Sequence, residues 1–282
     1  EALEDKHWQG SVLSTDVREA PGCRILDVMD ADGILALVDE ENVTEIYHLA
    51  ALLSATGERN PDLCWKINVD GLENVIAAAK THGCRVFAPS SIAVFGPDCP
   101  SIAPQVTPLN PTTVYGKTKV VGEQLAITSD VDMRGLRYPG LISYKAPAGG
   151  GTTDYAVEIF HAALNEGHYT CFVREDTRLP MMYMDDAIRA TLELMEVPLE
   201  KLGGARGGYN VSGCSFTAGE LVASIRRHMP EFTCTFEPDI RQKYADSWPN
   251  DIEDDVARDE WGWVPEFDLD GMVDAMFAGL KG

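Results

Sequence analysis

Tyr115 and Lys119 stand four residues apart in Y-G-K-T-K, a spacing that puts both side chains on one face of a helix. An ammonium beside a phenol favours the phenolate, bringing a group of ordinary pKa about 10 towards the range of a general base. Upstream, Ser90 and Ser91 close a β-rich run in PSSIAVFG, where a hydroxyl could hold the same substrate oxygen. Asp16 ends another such run, SVLSTD. Open α/β sheets bind ligands beyond the carboxyl ends of their strands, so these features can share one crevice. Y-x-x-x-K alone is a weak signal, because nine tyrosines make a chance match on an exposed helix unsurprising. PSSIAVFG ahead of it makes the chemical reading the stronger one.

Such a crevice needs a parallel sheet with crossover helices, and the first two thirds of the chain alternate short β-rich runs with helical patterns. Strands are expected at residues 11–16, 24–28, 45–50, 85–90 and 133–138, and helices at 32–41, 62–81 and 113–126. In the longest helix Leu63, Ile67, Leu72, Val75, Ile76 and Ala79 form an apolar stripe, and Pro61 is placed to open it. After about residue 143 the pattern changes to mixed elements: helices at 155–166, 186–196, 218–228 and 268–280, and strands at 169–173 and 209–211. The expectation is a doubly wound α/β domain over 1–143 and a smaller mixed lobe over 144–282 that returns some elements to the first. The acidic run 251–255 reads as a solvated turn or a helix start, and Met181 to Met184 as core.

Composition removes several classes of function. The 282 residues are 45% hydrophobic, which excludes global disorder, and 45 acidic against 23 basic side chains give a charge of −22 that argues against nucleic acid. No apolar run approaches the roughly 20 residues of a membrane-spanning helix, and the start EALEDKHWQG has no apolar signal-peptide region. Seven scattered cysteines without a C-x-x-C pair read as reduced, mostly buried thiols of a cell compartment. Six histidines without a cluster argue against a metal site.

PSSIAVFGP, PTTVYGKTK and LRYPG resemble the extended short-chain dehydrogenase/reductases, within the NAD-dependent epimerase/dehydratase group. YHLAALLSATGE, LRYPGLISYKAPAGGGTTDYA, EDTRLPMMYMDDAIRAT and ADSWP are similar to the short-chain L-threonine 3-dehydrogenases. The resemblance implies a Rossmann fold with a small substrate lobe, an NAD cofactor, oxidation of L-threonine at its 3-hydroxyl, and a homodimer formed through the helices at Asp62 and Thr113. Tyr115 would be the base, Lys119 would bind the nicotinamide ribose, and Ser91 would be the catalytic serine with Ser90 in support. Asp16, with Val17 and Arg18 beside it, would meet the adenosine ribose, a carboxylate there favouring NAD over NADP. Asp27 and Val28 would flank adenine. Leu49, Ala50 and Ala51 would line the cofactor groove above Asn68, and Leu141 in the Pro139-Gly140-Leu141 turn would pack beside nicotinamide. Ser54, Thr152, Thr153 and Asp154 would contact substrate, with Trp248 closing the crevice and Gly149 to Gly151 a mobile flap. Arg178 is ambiguous between a substrate carboxylate and an ion pair with Asp176 or Asp186.

Two departures stand out. A dinucleotide-binding unit begins with a strand, a glycine-rich turn and a helix about 20 residues before the ribose-binding acid. Here Glu1 to Trp8 reads as the end of that helix, so the sequence is expected to start inside the first βα unit. The helix carrying Tyr115 also passes into TSDVDMRG sooner than the family pattern, as if residues were absent. The competing readings are a nucleotide-sugar epimerase or dehydratase and a non-catalytic NAD sensor. The Pro139-Gly140-Leu141 turn favours a small substrate over the first, and the intact Ser/Tyr/Lys set argues against the second. The expected compartment is intracellular, the mitochondrial matrix in a eukaryote and otherwise the cytoplasm.

Overall fold

The computed structural model describes residues 2–7 and 10–282. At its centre Glu45–Tyr47, Arg85–Phe87 and Met133–Arg134 pair in parallel, and beyond them Ser90–Ser91, Leu136–Tyr138 and Tyr209–Asn210 do the same. Arg85–Phe87 runs on into Ser90–Ser91 and Met133–Arg134 into Leu136–Tyr138, so the two ladders build one continuous parallel surface. Ser14–Asp16 and Cys23–Ile25 pair in parallel as a separate ladder.

Strand side chains alternate between faces, and helices cover both. Val86 and Met133 face Ile34 and Val38 of helix Ala31–Glu40 and Leu72, Val75 and Ile76 of helix Gly71–His82. Phe87 and Leu136 face Ala187, Ala190 and Leu194 of helix Met184–Glu196. The result is the doubly wound α/β class that the alternating pattern requires.

The expected strands are shortened because extended sequence continues past the ladders into the loops at their carboxyl ends. Residues 45–50, for example, pair only through Tyr47, with His48 N adding one bond of 2.8 Å to Phe87 O. Pro61 opens a helix as expected, but the 62–81 helix is broken by a π turn at Lys66–Asp70 between Pro61–Trp65 and Gly71–His82. At the chain start Ala2–Lys6 is helical, whereas Glu1 and Trp8, the ends of the expected helical stretch, lie outside the described residues. Helix Val114–Thr128 reaches Met133–Arg134 through residues 129–132, with Asp130 at φ 55° making the reversal.

The second lobe is built on Arg178–Tyr183, which lies between antiparallel Cys214–Thr217 and parallel Gly140–Ile142. Helices Tyr155–Glu166, Ala218–His228 and Leu269–Lys281 close its core. Met181 is fully buried there, and Met182 is fully buried on the opposite face against Phe87 and Leu136. One expected pairing fails in this lobe: Arg178 pairs with neither Asp176 nor Asp186 but with Glu220 at 2.6 Å, a residue of the capping box on helix Ala218–His228. The acidic run is a helix start rather than a solvated turn: Asp251–Ile252 is a strand, Asp254 precedes helix Asp255–Trp261, and it is buried, accepting from Arg258 at 2.6 Å. All seven thiols are unpaired; Cys64, Cys84 and Cys171 are buried and the other four half-buried. Among the described residues no helix is long and apolar enough to cross a membrane.

Candidate active site

Three segments meet at the carboxyl ends of the central strands. Thr113 caps helix Val114–Thr128, its hydroxyl accepting from Gly116 N at 3.0 Å, and Glu58 of helix Ser54–Arg59 accepts from Val114 N at 2.6 Å. These bonds satisfy the free amides of the helix start and fix the turn that carries Tyr115. Ser91 ends the strand alongside, its hydroxyl accepting from Ala93 N at 3.2 Å and standing near enough to Tyr115 to lower the pKa of the phenol. Lys119 Nζ donates to Pro89 O at 2.7 Å and lies 5.6 Å from the Tyr115 ring centre. Ser91, Tyr115 and Lys119 are thus close neighbours, with Lys119 lining the cleft.

The protonation states differ from the sequence expectation. Burial pushes Tyr115 up to about 12, with the Ser91 hydrogen bond pulling the other way and the Cys64 thiol adding a little upward. Burial draws Lys119 down to about 8, and the same thiol raises it slightly. Desolvation therefore outweighs the ammonium's pull on the phenol in the free protein. His48 is also held low, at about 4, by burial and then by the Lys119 charge. This neutral histidine sits with Lys119, Asn68 and Ala51 along the narrow cleft beside the helix. Sequence reading passed over His48, although its place at the end of a strand was a signal.

Asn68 sits on the π turn, and its amide clamps one peptide from both sides: Leu52 N donates to Oδ1 at 2.8 Å, and Nδ2 donates to Leu52 O at 3.0 Å. Such π insertions recur at functional sites because they re-aim a side chain without ending the helix. The clamp shapes the Leu49–Ala51 backbone above it, where Leu49 is 68% exposed. At the far edge Asp16 accepts from Arg18 N at 2.8 Å, with the Arg18 guanidinium 3.6 Å away and Val17 61% exposed. Asp27 accepts from Met29 N at 2.9 Å, and Asn74 holds Val28 O at 2.9 Å, so the adenine-side residues form a shallow shelf over helix Gly71–His82.

The residues expected at substrate are less uniformly placed. Ser54 begins helix Ser54–Arg59, and Leu53 before it lies against Gly149 of the glycine loop. Thr153 packs on Gly140, where an added Cβ would meet its methyl group at 2.7 Å, next to the half-buried Leu141. The Asp154 carboxylate folds back onto the loop, accepting from Gly150 N at 2.6 Å and Gly151 N at 2.7 Å, and Thr152 is buried. Trp248 is wedged between the second-lobe core and the Ile92–Val94–Phe95 cluster, so it packs the two lobes together. Ser90 is buried at the floor of the cleft and donates to Glu123 at 2.5 Å, so its hydroxyl proton is already committed.

A nucleotide-binding cleft flanked by a serine, a tyrosine and a lysine defines an NAD-linked enzyme of the short-chain type, and the comparisons agree. The chain belongs to the NAD dependent epimerase/dehydratase family, whose model matches residues 2–211. An uncharacterized epimerase/dehydratase of Staphylococcus aureus (strain USA300) is 45% identical over 285 aligned positions, covering 96% of this chain and 88% of the relative. Among solved structures, a monomeric L-threonine 3-dehydrogenase from a metagenome database is 47% identical, with TM-score 0.95 over 99% of this chain and 93% of that one. A GalE-like L-threonine dehydrogenase from Cupriavidus necator in its holo form is also 47% identical, with TM-score 0.96 over 99% of this chain and 94% of that one. The cofactor of this family is NAD.

Proposed function

We propose that the protein oxidises L-threonine at its 3-hydroxyl to 2-amino-3-ketobutyrate. The carrying observation is the Ser91–Tyr115–Lys119 set in a chain whose similar solved structures are threonine dehydrogenases at 47% identity over nearly their whole length. Bound NAD supplies the hydride acceptor and a positive charge. Ser91 Oγ holds the substrate oxygen, and Tyr115 Oη receives its proton as the C3–H bond gives up hydride. Lys119 has two tasks: it is a donor within reach of the cofactor groove and a positive charge against the phenolate that Tyr115 must become. The exposed loop at Gly149 and Gly150, folded back through Asp154, is the segment that admits the amino acid. Thr152 and Thr153 carry it, and Ser54 faces it across Leu53.

The test is NADH absorbance with the full chain, NAD and L-threonine beside UDP-sugar controls. NADH from threonine alone is expected, and none from threonine overturns the proposal. The same proposal places the protein inside the cell as a homodimer. Leu63 and Trp65 of helix Pro61–Trp65 and Ile127 of helix Val114–Thr128 expose apolar surface for that contact. A monomer in sedimentation at micromolar concentration would remove the dimer from it.

A further inference from the structure

Residues 115, 119 and 123 stand four apart on one face of helix Val114–Thr128, and all three reach the same short stretch, residues 89–91. Tyr115 stands beside Ser91, Lys119 Nζ donates to Pro89 O at 2.7 Å, and Ser90 Oγ donates to Glu123 Oε1 at 2.5 Å. The third rung is buried at both ends, with Ser90 4% and Glu123 9% exposed, and it lies at the floor of the cleft beside Lys119. Behind it Arg137 grips the carboxylate through Nε at 2.9 Å and Nη2 at 2.8 Å. Its Nη1 donates to Gln105 O at 3.0 Å and Asn210 Oδ1 at 3.2 Å. Arg137 is the register partner of Ser90, and Tyr138 that of Ser91.

We infer that Ser90, Glu123 and Arg137 form a positioning device that fixes the spacing between the Tyr115 helix and the Ser91 strand, an inference that rests on the proposed dehydrogenase chemistry. The two upper rungs involve groups that change charge or partner during turnover. The lowest rung takes no part in proton transfer. Arg137 matches the carboxylate's charge, so Glu123 holds Ser90 without drawing on Lys119. Apolar side chains of similar size would fill this space at no loss of stability, so the advantage of the buried ionic cluster is geometric.

Glu123→Ala would strand a buried guanidinium and unfold the protein, so the test falls on Ser90. Ser90→Ala removes the rung while Glu123 keeps both bonds to Arg137, and Ser90→Thr keeps the hydroxyl. With NAD and L-threonine, Ser90→Ala is expected to lower kcat about tenfold with both KM values within about twofold, and Ser90→Thr to regain most of the loss. Unchanged kcat in Ser90→Ala, or equal loss in both variants, overturns the inference. A second measurement needs no substrate: acetylation of Lys119 relative to exposed Lys117, read by mass spectrometry on the free protein. Ser90→Ala should raise that ratio severalfold and Ser90→Thr restore it, whereas an unchanged ratio overturns the inference. If the wild type makes no NADH from threonine, the dehydrogenase reading fails, and the labelling ratio still decides the ladder.

Discussion

The two ends of the cleft are held in opposite ways. At the proposed chemistry end Lys119 is bonded to the strand beside it, Tyr115 stands against Ser91, and the helix that carries two of them is capped by Thr113 and tied to Glu58. At the proposed adenosine end the Asp16 carboxylate meets only its neighbour Arg18 among the described residues, and Val17 and Leu49 are 61% and 68% exposed. The chemistry end must present reacting atoms in one geometry before substrate arrives, because misplacement by an ångström costs rate. The adenosine end supplies only binding, which tolerates adjustment when the ligand docks. Rigidity is concentrated where the transition state forms.

The largest effect should come from breaking the rigid end. Tyr115→Phe is expected to lower kcat by about 10³-fold or more while NADH affinity by fluorescence stays within about threefold. A loss below about tenfold would move the base elsewhere. The same residue sets a pH signature. With Tyr115 held at about 12 in the free protein, the deprotonated fraction grows with every pH step, so kcat/KM for oxidation should still be rising at pH 10. A plateau below pH 9 would show that charge inside the cleft overrides burial.

A second effect at this end concerns stability. His48 takes a proton only near pH 4 in the folded chain and near 6.5 when unfolded. Between those values the unfolded state binds more protons, so stability is complete above 6.5 and falls as pH drops towards 4, by about 3 kcal/mol at most. His48→Gln should flatten that part of the urea-derived stability curve relative to the wild type. Identical slopes would mean that His48 is solvated.

The chemistry end was also the legible end. Tyr115, Lys119 and Ser91 could be read from motif spacing because a helix places every fourth residue on one face. Their supports could not. Glu58, His48, Glu123 and Arg137 act through contacts between elements distant in sequence, and none has a spacing of its own. The longer helices and the central strands of the first domain followed from hydrophobic periodicity, whereas helix Ser54–Arg59 and strand Ile102–Ala103 were missed, and the π turn that aims Asn68 leaves that periodicity nearly intact. The strand Arg178–Tyr183 was invisible because Pro180 argues against a central strand, yet the lobe is built around it. The partner of Arg178 and the burial of Asp254 were missed for one reason: charge in sequence does not reveal which partner the fold delivers.

The smallest effect belongs to the open end, and it bears most directly on the contrast. Asp16→Ala removes a carboxylate that touches little in the folded chain, so the melting temperature should hardly move. Its lost hydrogen bonds to the ribose should weaken NADH binding about tenfold, as expected for a charged acceptor, while kcat at saturating NAD stays within about twofold. Because the carboxylate repels a 2′-phosphate and Arg18 lies beside it, the variant should also use NADP better relative to NAD than the wild type does. If kcat at saturation fell instead, the adenosine end would be coupled to the positions of Ser91 and Tyr115. The cleft would then be one rigid unit rather than a fixed reacting centre with an adaptable shelf.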